Sequence, residues 1–199
     1  MNPRSLLLGS LGFGAVSVAA FSIWAFGGRW FHTHGGDGAM YSAIAAVFLG
    51  LTGAVLHKLV RGERPLARFY AAFVPAFLAY AIVWCLAWFI IKREPGEWAG
   101  SLAGSFVFAA VVMKRMGAKG GFLSTGLIVF VAHSLGYFLG GKVMYGILGG
   151  CCAEFFKGWS REQIGVIAML GWGLLYGLGF GAGIGVAFGR AQRTGVQPS

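Results

Sequence analysis

The chain has 199 residues, of which 57% are hydrophobic and only 11% are charged, whereas a soluble domain carries about 25% charged residues. This composition excludes an ordinary soluble enzyme or binding module and indicates an integral membrane protein. The length suits one transmembrane domain over residues 1–199, with no room for a separate soluble domain.

Six apolar stretches of membrane-spanning length alternate with charged connections. We predict spans at residues 5–27, 39–57, 66–91, 97–113, 120–141 and 163–189. The first stretch continues past Phe21 with no small-residue cleavage site, which indicates a retained span rather than a cleaved signal peptide. The predicted fold class is therefore all-α: a polytopic bundle of six transmembrane helices.

The charges of the connections predict the orientation of the bundle. One set of connections carries ten basic residues and a single acid, Glu63, and the other set carries six basic residues and five acids. Because basic residues concentrate on the cytoplasmic side of a membrane, both termini should be cytoplasmic. The ten basic residues are Arg4, Lys58, Arg61, Arg64, Arg68, Lys114, Arg115, Lys119, Arg190 and Arg193.

The net charge of +10 is thus interpreted as a topology signal and not as nucleic-acid binding. The basic residues flank the spans, so the expected partners are the lipid bilayer and, at the cytoplasmic face, anionic lipids. We expect the protein to reside in a bacterial inner (plasma) membrane.

A row of glycines with the spacing of a glycine zipper runs through the sixth span. Residues four apart share one helix face, so this row forms a groove in which another backbone can lie close. The row packs either inside the subunit or against another copy or another membrane protein, and the sequence does not distinguish these cases. A similar row of small residues on the second span is formed by Ser42, Ala46, Gly50 and Ala54. The glycines of the sixth span are Gly173, Gly177, Gly181, Gly185 and Gly189.

Residues 142–162 form the longest connection, and they are too apolar for a fully solvated loop. A short helix lying in the outer interface, or a re-entrant segment, would explain this composition.

Few polar side chains fall inside the spans. His133 lies in the outer half of the fifth predicted span, and Ser101 and Ser105 lie at comparable depth on the fourth. Buried polar groups in a membrane are costly and mark functional sites. The outer connection with His32, His34 and Asp37 is interpreted as a polar turn, because nothing fixes the geometry of a metal site there. We therefore predict ligand-binding or pore-lining roles for His133, Ser101, Ser105 and Glu154, with no metal and no cofactor.

Three functions fit this pattern. The first is a channel, carrier or membrane-embedded transport component for a neutral or weakly polar solute, favoured by six spans with almost no intramembrane charge. The second is a non-catalytic subunit that packs against other membrane proteins. The third is an intramembrane hydrolase in which His133 activates Ser101 or Ser105 as a nucleophile.

Overall fold

A computed structural model describes residues 2–194. Within that range the regular structure consists of six long α-helices and one 3-10 turn, His57–Leu59, which follows α2 directly. All six α-helices are long and apolar enough to cross a membrane, which confirms the predicted all-α class and the predicted number of such helices. The helices are α1 Pro3–His34, α2 Gly36–Leu56, α3 Pro65–Ile91, α4 Arg93–Arg115, α5 Phe122–Leu148 and α6 Arg161–Thr194.

Four of the helices extend well beyond the predicted spans. The largest extensions are the end of α1, which runs to His34, the end of α5, which runs to Leu148, and the end of α6, which runs to Thr194. Hydropathy marks only the section of a helix that faces lipid, whereas the backbone hydrogen bonds continue past it. The connection between α1 and α2 is consequently a single residue, Gly35, and that between α3 and α4 is Lys92 alone.

Residues 142–162, predicted to be an interfacial or re-entrant segment, form no separate helix. Residues 142–148 continue α5, residue 161 begins α6, and residues 149–158 form successive turns rather than a helix. Gly150 and Gly158 have positive φ angles, at 88° and 87°, which glycine adopts readily and which interrupt a helix. Among residues 149–158 only Phe156 is buried, while Phe155 is 78% exposed.

The helices follow one another around the bundle in the order α2, α1, α6, α5, α4, α3. The ring closes through a much smaller contact between α3 and α2. The first turn of α1 lies beside the last turns of α6, since a Cβ added at Gly189 would be 3.2 Å from Ser5. The two ends of the described chain therefore lie at the same end of the bundle.

The glycine row of α6 lies against α1. A Cβ added at Gly177 would be 2.8 Å from Gly14 Cα and 3.0 Å from Phe13 O, so only glycine allows this approach. Two serines of α1 donate hydrogen bonds to α6 carbonyl groups across the same contact: Ser17 to Gly173 O at 2.6 Å and Ser10 to Leu178 O at 2.9 Å. The row therefore packs within the chain.

Small residues also mark two further helix contacts. Gly136 of α5 meets Gly179 of α6, and Gly104 of α4 meets the ring of Tyr80 on α3. The row on α2 behaves differently, because Ser42, Ala46, Gly50 and Ala54 are all exposed. The Gly50 carbonyl group accepts a hydrogen bond from Tyr70 of α3, but the outward side of Gly50 is open, since an added Cβ would meet nothing within 4 Å.

Aromatic side chains fill the centre of the bundle around Phe180, which is fully buried. Its ring centroid lies 5.6 Å from Phe13, 4.9 Å from Tyr80, 5.4 Å from Phe108 and 5.2 Å from His133. Because these residues belong to α1, α3, α4 and α5, one side chain of α6 contacts four other helices. Offset and edge-to-face contacts of this kind contribute about 0.5–1.5 kcal/mol per pair beyond area burial.

Replacing Gly177 with alanine should separate α1 from α6. The new methyl group would lie 2.5 Å from Ser17 Cβ and would also meet α1 backbone, so we expect a loss of about 1–3 kcal/mol in the free energy of unfolding. The matched control is Gly171→Ala on the same helix, where an added Cβ meets nothing within 4 Å. Unfolding in mixed detergent micelles measures both variants. Equal stabilities would contradict the close α1–α6 contact.

Candidate functional site

His133 is a fully buried polar residue near the middle of α5. Its Nε2 atom lies 2.6 Å from the hydroxyl oxygen of Tyr80 on α3. The predicted fifth span ended at residue 141, eight residues after His133, whereas α5 continues to Leu148. His133 therefore lies farther from the end of its helix than the sequence indicated. The pair thus connects α3 and α5 near the mid-depth of both helices.

Aromatic rings surround the imidazole of His133. Tyr137 stacks on it with a centroid distance of 5.7 Å and an interplanar angle of 12°. Tyr176 and Phe180 of α6 contact it edge-on, at 5.7 and 5.2 Å. The side chain is 0% exposed, so the rest of the chain covers the imidazole on every side.

Five buried polar atoms near this pair have no hydrogen-bond partner within residues 2–194. Most buried polar atoms in proteins have a partner, so each exception calls for an explanation such as a bound water or ligand. The atoms are His133 Nδ1, Trp84 Nε1 and the hydroxyl oxygens of Ser101, Ser105 and Ser134.

Helix register places these groups at similar levels along the neighbouring helices α3, α4 and α5. On α4, Gly100 packs against Trp84 and Gly104 against Tyr80, and a buried serine directly follows each of these glycines in the sequence. On α5, Ser134 lies between Phe130 and Phe138, both of which contact Trp98 of α4. We call Tyr80, Trp84, Ser101, Ser105, His133 and Ser134 the buried polar cluster.

The structure brings three of the four predicted site residues into this cluster. His133, Ser101 and Ser105 are all fully buried. Glu154 is exposed and lies in the turns after α5. The fifteen residues from His133 to Leu148 alone span about 22 Å of helix, so Glu154 does not belong to the site.

Three members of the cluster were not singled out in the sequence: Tyr80, Trp84 and Ser134. Tyr80 and Trp84 are four residues apart on α3, so they share a face. Gly100 and Gly104, with the same spacing on α4, provide the space that these rings occupy. The four-residue spacing of these aromatic residues on α3 matches that of the glycines on α4, and this match could have identified Tyr80 and Trp84. It was not decisive, because the sequence does not reveal which helices are neighbours.

The chemistry of the cluster is that of uncharged hydrogen bonding. It contains hydroxyl groups, an indole N–H and an imidazole, and it contains no carboxylate or ammonium group. Neither Ser101 Oγ nor Ser105 Oγ has a hydrogen-bond partner within the described chain, so no serine–histidine hydrogen bond of the kind that activates a nucleophile is present in residues 2–194.

Other candidate groups lie at the end of the bundle that carries the α1–α2 and α5–α6 connections. His32 and His34 belong to the last turn of α1 and Asp37 to the first turn of α2, and residues 2–194 contain no group of three metal-binding side chains. Cys151 and Cys152 are exposed, with their sulfur atoms 3.3 Å apart. The hydrogen bond with Cys152 raises the pKa of the Cys151 thiol above its usual value.

Comparison of the chain with protein-family models, with curated proteins and with solved structures gives no match. The geometry of this chain is therefore the basis for the function proposed below.

Replacing Tyr80 with phenylalanine should destabilise the protein. The variant keeps the ring but leaves His133 Nε2 buried without its partner, which costs about 1–2 kcal/mol in the free energy of unfolding. Tyr41→Phe is the matched control, since Tyr41 is 64% exposed. Unfolding in mixed micelles compares the two variants. A Tyr80 variant as stable as the control would show that the hydrogen bond contributes nothing to folding.

Proposed function

We propose that this protein is a membrane-embedded channel, carrier or transport component for a small neutral or weakly polar solute, and that the buried polar cluster is its solute-binding site. The observation that carries the proposal is the set of five buried polar atoms without partners. Polar groups in a membrane bundle are costly and tend to mark solute or ion pathways. A solute that hydrogen-bonds to these atoms would remove that cost.

The cluster composition favours a neutral solute. Its serine hydroxyl groups both donate and accept, and the Trp84 indole N–H only donates. No member of the cluster carries a fixed charge that would neutralise an ion. All six acidic residues of the sequence lie in the connections or the end turns of helices, at Asp37, Glu63, Glu94, Glu97, Glu154 and Glu162. Coupling to an ion through a mid-membrane carboxylate therefore has no residue to support it.

The described conformation is closed at this site, because His133, Ser101 and Ser105 are 0% exposed and Phe180 fills the bundle centre. Passage of a solute requires the helices to part. We infer that α2 moves, since its contact with α3 is far smaller than those of the other neighbouring helices in the ring. Pro75 within α3 lacks the N–H that would bond to residue 71, which makes that helix easier to bend.

We also propose which end of the bundle faces the cytoplasm. The end of the bundle that carries the first turn of α1 and the last turn of α6 also carries the ten basic residues, so we place it at the cytoplasmic face of a bacterial inner membrane. Anionic lipids are the partners that this basic end would attract.

Removing the unpartnered hydroxyl groups should lower solute transport without lowering the stability of the protein. In Ser101→Ala/Ser105→Ala we expect the free energy of unfolding to stay equal or to rise, because two unpaired buried groups are lost. Solute flux should fall by about five- to tenfold, since one lost hydrogen bond of about 1 kcal/mol already changes a binding constant about fivefold. Light scattering of proteoliposomes exposed to glycerol or urea measures the flux.

The control for this experiment is Ser42→Ala, which removes an exposed hydroxyl of α2 that bonds to Gly38 O. Flux equal to that of the unmodified protein in the double variant would exclude the cluster as the solute site. Absence of flux for every neutral solute in the unmodified protein would overturn the transport proposal itself.

A second candidate function, a non-catalytic subunit that packs against another membrane protein or a second copy, is favoured by the exposed row of α2. In this chain the rows on α4, α5 and α6 are covered by other helices, whereas the positions of the α2 row are exposed. Small-residue rows of this spacing allow close helix contacts in membranes.

Replacing Gly50 with leucine tests this candidate. The leucine would fill the groove of the α2 row, so we expect association with a partner or second copy to be lost while the fold is retained. Gly141→Leu is the control, because an added Cβ meets nothing within 4 Å at either glycine. Native mass spectrometry in mild detergent measures the associated fraction. A monomeric unmodified protein without co-purifying subunits would argue against assembly.

A further inference from the structure

An open cavity of about 170 Å³ lies at the basic end of the bundle, between the first turns of α1 and the last turns of α6. It is separate from the buried polar cluster and plays no part in the function proposed above. Its lining includes Asn2, Ser5, Gly185, Gly189, Arg190 and Arg193.

The floor of the cavity exists because α6 carries glycine there. A Cβ added at Gly185 would overlap the Ser5 backbone, and one added at Gly189 would lie 3.2 Å from Ser5 Oγ. Backbone and a serine hydroxyl group therefore form one wall. Two arginines one turn apart on α6, Arg190 and Arg193, complete the lining.

Arg190 is a fixed positive charge at this cavity. Its Nη1 atom donates to Ser124 Oγ at 2.9 Å and to Thr125 Oγ1 at 3.4 Å, both on α5. These hydroxyl groups orient the guanidinium but do not neutralise it. The side chain is half-buried, and a partly desolvated charge is stabilised by an opposite charge.

No carboxylate provides that opposite charge in the described chain. The single ion pair in residues 2–194 joins Arg29 to Glu162, 3.7 Å apart, at the other end of the bundle. Glu63 is the one acid of the sequence at this end, and it lies exposed in the connection between α2 and α3. The first turn of α1 adds further positive potential, because the helix dipole has its positive end there.

We propose that this cavity binds a phosphate group. The planar guanidinium fork matches the spacing of two phosphate oxygens, and the lining holds no carboxylate that would repel an anion. The phosphate would come either from the headgroup of a phospholipid in the surrounding leaflet or from a free phosphate-bearing solute. Both sources present the same oxyanion to Arg190 and Arg193.

The test compares two double variants with equal changes in charge. Arg190→Gln/Arg193→Gln alters the cavity, and Arg61→Gln/Arg115→Gln removes two exposed arginines from the same end of the bundle. The full chain is purified in a non-ionic detergent, and native mass spectrometry measures retention of phosphatidylglycerol against phosphatidylcholine. A second arm measures the unfolding midpoint with inorganic phosphate against chloride at equal ionic strength.

We expect retention of phosphatidylglycerol, or the stabilisation by inorganic phosphate, to fall at least about tenfold in the cavity variant and to stay unchanged in the control. An effect confined to the lipid arm identifies a headgroup site, and an effect of phosphate alone identifies a free solute. Arg193→Gln by itself guards against misfolding, since Arg193 is exposed, and it should show part of the loss. Equal losses in both double variants, or no phosphate binding by the unmodified protein, would overturn the proposal.

Discussion

The closest helix contacts of this protein depend on backbone approaching backbone where side chains are missing. In hydrocarbon the hydrophobic effect does not drive helices together, because lipid tails are as apolar as the side chains. Association then depends on van der Waals contact and on hydrogen bonds across the interface. The α1–α6 contact has both, since glycines of α6 lie on α1 backbone and Ser10 and Ser17 donate to α6 carbonyl groups.

Close packing does not explain why the buried polar cluster contains groups without hydrogen-bond partners. Tyr80 and His133 satisfy each other on one side of the imidazole, yet serines of α4 and α5 remain unpaired in the same region. A chain selected only for a stable bundle would replace these serines with alanine, which has the better helix propensity and no hydroxyl group to desolvate. Retaining them is costly, and this cost is the physical basis for a functional role.

Much of the architecture was predictable from the sequence because composition constrains it strongly. Apolar stretches bounded by charges fix the number of helices, and their hydropathy locates the section within lipid. The helix ends were not predictable, since α5 continues from residue 141 to Leu148 and α1 runs through Gly27 and Gly28 to His34. Backbone hydrogen bonding, which hydropathy does not report, decides those ends.

The site was predictable in part. His133, Ser101 and Ser105 stand out because polar residues are rare in these spans, whereas the partner of His133 depends on which helices are neighbours. Tyr80 is fifty-three residues from His133 in sequence, and nothing in its local pattern distinguishes it from other aromatic residues of α3. Glu154 lies away from the cluster for the same reason that the α5 boundary was missed, because the longer helix separates His133 from the turns that follow it.

The α1–α6 contact also bears on how the protein is made. Of the six described helices, the one synthesised first has as its main neighbour the one synthesised last. Until α6 emerges during translation, α1 has only α2 beside it among its neighbours in the ring, and its glycine-matched surface stays exposed to lipid. The α1–α6 contact therefore forms only after α6 is made, and loss of α6 would leave α1 and α5 without the neighbour that they share.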